Sequence, residues 1–171
     1  AIRRLAEEWT SGLTEPRDKA EAIQGRLLRD YTYTLNLRPA GGNDPLEVFL
    51  TQTKAGHCQY FASAMTVMCQ QLGIPARLVS GFKVLEYNAQ GGYYIVRAKH
   101  AHSWCEVFLP SKGWVTYDPT PGAADEELAG PGGLLGWLNH SIDYMNYRFQ
   151  QKVLNFSRSD RETIIARTSD T

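Results

Sequence analysis

Three side chains could together carry nucleophilic chemistry: Cys58 in GHCQYFASAMTVMCQQLG, His102 in HAHSWCEV and Asp118 in WVTYDPTPG. A thiolate attacks a carbonyl carbon, an imidazole moves the proton, and a carboxylate holds the ring in the useful tautomer. Cys58 falls in the first turn of an amphipathic helix. There the unpaired amide N–H groups and the helix dipole favour an anion and lower a thiol pKa. In isolation such a cysteine is more often a small buried hydrophobe, and that plain reading holds for Cys69 and Cys105.

The partners must come from strands. In HAHSWCEV, alternation puts His102, Trp104 and Glu106 on one face and Ser103, Cys105 and Val107 on the other. Asp118 closes the next strand. An even-length hairpin loop in PSKG would set it opposite Cys105, on the wrong face for His102. An odd-length loop or a bulge sets it opposite Trp104, diagonal to His102 and on its side. The odd register is predicted, with Gly113 taking the unusual backbone conformation. His57 flanks the nucleophile and is expected to face solvent. His57, Cys58 and His100 do not have metal-ligand spacing, because adjacent helical positions diverge by roughly 100°.

The elements around these residues read as an α+β fold. Ile2, Leu5, Trp9 and Leu13 keep helical spacing, and a second helix starts near Thr14 with the stripe Ala20, Ile23, Leu27 and Tyr31. YTYTLNLRP is an extended stretch, and Asp44 with Pro45 opens a short helix. In the helix of Cys58 the inward stripe is Cys58, Phe61, Ala62, Met65, Met68, Cys69 and Leu72, ended by Gly73 and Pro75. Four strands then follow, in ARLVSGFKVLEY, YYIVRAK, HSWCEVFL and WVTYD, predicted to form an antiparallel meander. After a Gly- and Pro-rich linker comes a final helix on which Leu135, Leu138, Ile142, Met145, Phe149 and Phe156 recur every three or four residues. Its Trp137, Tyr144, Tyr147 and Phe149 are expected to pack back on the core. The boundaries are thus 1–122 for the domain, with helices in 1–44 and a core in 45–122, and 123–171 for linker and helix.

Composition narrows the function classes. Eighteen basic and eighteen acidic residues give a net charge of zero, so no basic face suits nucleic acid. Three cysteines are too few for a disulfide framework and have no zinc spacing. No run of 18 apolar residues and no signal segment is present, and the chain reads as an excised piece.

GHCQYFASAMTVMCQQLGIPARLVSGF and HAHSWCEVFLPSKGWVTYDPTPG, in that order, resemble the core of transglutaminase-like proteins, a branch of the papain-like cysteine enzymes, over about residues 45 to 122. The leading helices, the YTYTLNL stretch and the aromatic-rich final helix resemble, more narrowly, bacterial membrane proteins of the TgpA type. In those the transglutaminase-like domain lies between membrane segments on the periplasmic side of the inner membrane. The resemblance implies that Cys58, His102 and Asp118 are a catalytic triad. The implied reaction moves an acyl group from a glutamine carboxamide to an amine through a thioester. The implied substrates are periplasmic proteins or peptides, cell-wall related ones among them, and the implied full-length protein is membrane-anchored.

Gln52, six residues before Cys58, occupies the offset at which papain-like peptidases carry an oxyanion donor, and Trp104 would wall the cleft. Animal members depend on calcium, but no loop here concentrates acidic ligands, so neither metal nor other cofactor is expected. A peptidase or amidase of the same fold, or a module that binds peptides without turnover, are the competing readings.

Overall fold

A computed structural model describes residues 1–37, 41–42, 44–122 and 133–149. Its elements are α1 (Ile2–Trp9), α2 (Pro16–Asp30), β1 (Thr32–Tyr33), α3 (Pro45–Val48), a π-helical turn (Phe49–Thr53), β2 (Ala55–Gly56), α4 (Cys58–Gln71), β3 (Ala76–Phe82), β4 (Glu86–Asn88), β5 (Tyr93–Ile95), a 3-10 turn (Ala98–His100), β6 (Ala101–Leu109), β7 (Gly113–Tyr117) and α5 (Gly133–Phe149). They divide into two units, one of Ala1–Val84 with Val96–Leu128, the other of Leu85–Ile95 with Ala129–Thr171.

In the first unit α4 is the central element, packed on β6 and β3 and flanked by α1 and α2. Phe61, Ala62, Met65, Met68 and Cys69 are fully buried, as the stripe predicts, and Ala20, Ile23, Leu27 and Tyr31 of the second helical segment meet them. Each large apolar side chain buried this way contributes roughly 1.5–3 kcal/mol. Tyr31, Phe49 and Phe61 pack as a triangle of rings, with centroids 5.1 Å apart for Tyr31–Phe49 and for Phe49–Phe61. The Tyr31 hydroxyl donates to the Leu50 carbonyl at 2.7 Å. This packing fixes where α4 begins, and therefore where Cys58 stands. The helix ends at Gly73 with φ of +74°, a left-handed cap that no L side chain adopts cheaply. Asp44 caps α3 by accepting from Leu46 N–H at 2.9 Å.

The α+β class holds, and the sheet is antiparallel, but it is not a meander. Its order is β3-β6-β7. Cys105, Val107 and Leu109 form the face that α4 covers, so β6 takes the central place beside β3. The strand predicted in YYIVRAK instead pairs with Glu86–Asn88 as a separate hairpin. Only Thr32–Tyr33 of the YTYTLNL stretch is strand, paired in parallel with Ala55–Gly56.

The second unit joins that hairpin to α5. Asn88 is fully buried and holds both parts. Its Oδ1 accepts from Gln90 and Gly91 N–H, each at 3.0 Å, and its Nδ2 donates to the His140 carbonyl at 2.7 Å. Tyr147 lies over Tyr93 with centroids 4.8 Å apart. The contacts of α5 are with this hairpin, and its Trp137, Leu138, Ile142, Met145 and Tyr147 are exposed. Phe156 and the linker after Gly122 lie outside the described residues, as do the side chains of Leu135 and Phe149.

Candidate active site

Cys58 is the first residue of α4, and His57 caps the helix by accepting from Gln59 N–H on Nδ1 at 3.3 Å. His57 is thus half-buried against Tyr60 rather than turned to solvent, and burial lowers its pKa, which suits an accepting nitrogen. His102 is set by two strand registers. Across β3 it faces Gly81. Across β7, Cys105 pairs with Tyr117, and the next step of that ladder sets Asp118 opposite Trp104. The loop between Leu109 and Gly113 has three residues, closed by Lys112 N–H donating to Leu109 at 2.9 Å, and Gly113 has φ of +77°. This is the odd register, a type I turn followed by a left-handed glycine.

The consequence is direct. His102 Nε2–H donates to Asp118 Oδ2 at 2.8 Å, which leaves Nδ1 as the ring nitrogen available to Cys58, a residue of the same cleft. Burial alone would push the Cys58 thiol up, but the hydrogen bonds from His102 and Ser103, the charge of His102 and the Gln59 N–H bring it below its ordinary value. Burial likewise opposes charge on His102, yet the hydrogen bonds to Asp118 and Cys58 and the charge of Asp118 raise it to about 9, against a lowering by Lys83. Asp118, which burial would raise, is held well below the usual carboxylate range by the hydrogen bond and charge of His102, by Thr120 N–H and by Lys83. The thiol is thus shifted down and the imidazole up, each toward its charged form. Cys69 and Cys105 are the reverse case, pushed by burial to about 12 and about 11.

Cys58 and His102 open on a cleft of about 450 Å³ lined also by Tyr33, Leu35, His57, Gln59, Ser80, Lys99 and Ser103. Trp104 stands beside it, its ring 6.4 Å from that of His102 and nearly parallel, rather than lining the cleft itself. Gln52 is a correction. It is exposed and lines a different cavity, with Asn36, Leu37, Phe49 and Tyr60. The reason is the π-helical turn and left-handed Lys54, with φ of 49°, which turn the chain between Gln52 and Cys58. An offset counted along a regular connection misses both. His100 sits fully buried in the 3-10 turn, where Nδ1 accepts from Arg97 N–H at 3.1 Å. Among the described residues no group of three or more His, Cys, Asp or Glu could hold a metal ion.

Lys83 was not foreseen. Its Nζ lies 3.1 Å from Asp118 Oδ2. Strand alternation would have placed it only if β3 had been known to pair with β6.

The sequence profile of the transglutaminase-like superfamily matches residues 3–119. The chain belongs to that superfamily. It is 32% identical over 190 residues to a protein-glutamine gamma-glutamyltransferase of Pseudomonas aeruginosa, covering 96% of this transglutaminase-like chain and 28% of that protein. A Bacillus subtilis protein, YebA, is 41% identical over 128 residues, covering 71% of this chain and 17% of its own length. The crystal structure of the periplasmic domain of TgpA from Pseudomonas aeruginosa superposes with a TM-score of 0.66 at 36% identity, covering 74% of this chain and 44% of that one. The transglutaminase-like chain therefore spans less than a third of these two relatives and under half of the solved domain. Among the described residues no helix is long and apolar enough to cross a membrane.

Proposed function

We propose that this transglutaminase-like chain is a cysteine acyltransferase that joins glutamine side chains of proteins or peptides to primary amines, with Cys58 as nucleophile, His102 as acid and base, and Asp118 as the residue that orients the ring. The observation that carries this is the 2.8 Å hydrogen bond of His102 to Asp118, with Cys58 and His102 lining one cleft. The Cys58 thiolate attacks the carboxamide carbon, and the tetrahedral oxyanion meets the Cys58 backbone N–H, free at the start of α4. Collapse breaks the C–N bond, with the imidazolium proton going to departing ammonia, and leaves a thioester. His102, now neutral, takes a proton from the incoming amine as its nitrogen attacks the thioester carbon. The new amide leaves, and the thiolate–imidazolium pair returns. The cleft beside Cys58 combines apolar Leu35 and Tyr33 with polar Gln59 and Ser80, a lining that matches a methylene stem ending in a carboxamide.

The relative named as a protein-glutamine gamma-glutamyltransferase and the periplasmic TgpA domain support the same reaction and a periplasmic site, and with that site goes a full-length protein anchored in a bacterial inner membrane. Cell-wall proteins and peptides are the substrates that such a location offers.

The test is incubation with a glutamine-containing protein and a fluorescent primary amine, followed by mass spectrometry of the chain and of the acceptor. A thioester on Cys58, amine incorporated and ammonia released, all lost in Cys58→Ala, is the expected result. Glutamate formed in place of the amine adduct assigns the site to hydrolysis. No adduct on Cys58 with any such substrate assigns the fold to peptide binding without turnover.

A further inference from the structure

Lys83 follows Gly81 in the alternation of β3, and its backbone N–H donates to the His100 carbonyl at 2.9 Å, extending the β3–β6 ladder one step beyond Phe82–Ala101. It therefore shares the sheet face of His102. Asp118 leaves β7 on the other side of β6. Adjacent strands lie about 4.8 Å apart, so the two backbones are separated by roughly 10 Å, and the lysine stem must cross β6 at His102 to reach the carboxylate. The lane passes Gly81, the residue that faces His102, where the Trp104 ring takes the space a side chain would fill.

The contact made at the end of that lane is specific. Asp118 Oδ2 accepts from His102 Nε2–H at 2.8 Å and from Lys83 Nζ at 3.1 Å, while Oδ1 accepts from Thr120 N–H at 3.1 Å. The Lys83 side chain is 22% exposed and that of His102 2%. An exposed lysine–carboxylate pair adds little to stability. Here the pair ends on the same oxygen that serves the imidazole, so its effect falls on the charge available to the ring. The charged and titratable groups around that ring are Cys58 from α4, Asp118 after β7, Lys83 from β3, and Lys99 and His57 at the cleft. Helix α2 offers Asp118 only the neutral Gln24, which donates to its main-chain carbonyl at 3.0 Å.

We propose that Lys83 is a positioning residue: its ammonium shares Asp118 Oδ2 with His102, holds the carboxylate in place and limits how tightly the carboxylate binds the imidazolium. This rests on the Cys58–His102–Asp118 reading. A carboxylate serving the imidazole alone would make the ring reluctant to give its proton to a leaving amine. A second cation on the same oxygen weakens that hold without loosening the geometry, and the charge of Lys83 acts on His102 in that lowering sense.

The experiment follows the His102 ring through its titration by NMR in the wild-type chain and in Lys83→Gln, Lys83→Met and Lys83→Arg. In both uncharged variants the midpoint rises by about one pH unit, while Lys83→Arg keeps the wild-type midpoint. An unchanged midpoint in Lys83→Gln and Lys83→Met, or the same shift in Lys83→Arg, overturns the proposal. Iodoacetamide alkylation of Cys58 in the same samples reads the underlying site separately. Wild-type Cys58 reacting no faster than Cys69 or Cys105 sinks the triad, whatever the His102 midpoint does.

Discussion

Cys105 faces Tyr117 across β6 and β7, and that one pairing puts Asp118 on the same side of the sheet as His102. Shifting it by one residue would turn the Asp118 carboxylate to the opposite face. The three-residue loop with left-handed Gly113 enforces the pairing.

Gly113→Val therefore strains both the turn and the site. A β-branched residue at φ of +77° costs about 1–3 kcal/mol, read as a lower urea midpoint at unchanged slope. Alkylation of Cys58 slows as well if the turn relaxes by shifting register. A midpoint equal to wild type would mean that Gly113 does not set the hairpin.

The thiols divide cleanly. At pH 6 iodoacetamide modifies Cys58 alone, because Cys69 and Cys105 are fully buried and held to about 12 and about 11. All three react once the chain is unfolded in denaturant at alkaline pH. Mass spectrometry of the alkylated chain counts them, and early labelling of Cys69 or Cys105 in the folded state would contradict the packing.

Asp118→Asn removes the charge that sustains the imidazolium while keeping the shape. Cys58 alkylation at pH 6 falls on the order of 10²-fold, and His102 titrates near its ordinary value. A rate within a few-fold of wild type would show that the thiolate does not depend on this chain of contacts.

Folding stability follows the same ionisations. His102 is raised from 6.5 to about 9, so its contribution is complete below about pH 6.5 and is lost as pH rises through 9. Asp118 is depressed, so its contribution is present above about pH 4 and is lost as pH falls through its lowered value. Urea midpoints measured from pH 3 to 10 should fall at both ends. In Asp118→Asn both of these falls become smaller, which separates them from titrations elsewhere in the chain.

Gly81 answers to Trp104. A Cβ at Gly81 would lie 2.8 Å from the Trp104 Cη2, so Gly81→Ala displaces the indole, which lies beside the His102 ring. The expected cost is about 1–3 kcal/mol, together with slower Cys58 alkylation. Adding Trp104→Phe returns part of both, a coupling that a double-mutant cycle measures.

The helical stripes were legible because their period is local. Ala20, Ile23, Leu27 and Tyr31, and the run from Phe61 to Cys69, bury as their spacing dictates. Parity along HSWCEV could be read for the same reason, and with it the demand for an odd loop. The strand order could not. Pairing of β3 with β6 depends on which strand presents a face for α4, and no short window of sequence contains that comparison. Gln52 failed on one π-helical turn, and Lys83 was out of sight because its partner lies 35 positions away, just after a strand that β3 does not itself touch.

By itself the sequence determined a thiol at a helix start, an imidazole and a carboxylate on strands, and the apolar periods that bury the helices, since each depends on residue type and short spacing. Only the tertiary structure decided which nitrogen of His102 meets Asp118, that a lysine reaches the same oxygen, and that Gln52 stands elsewhere. Those are distances between strands and turns, set by how the elements pack, and packing is a property of the whole chain.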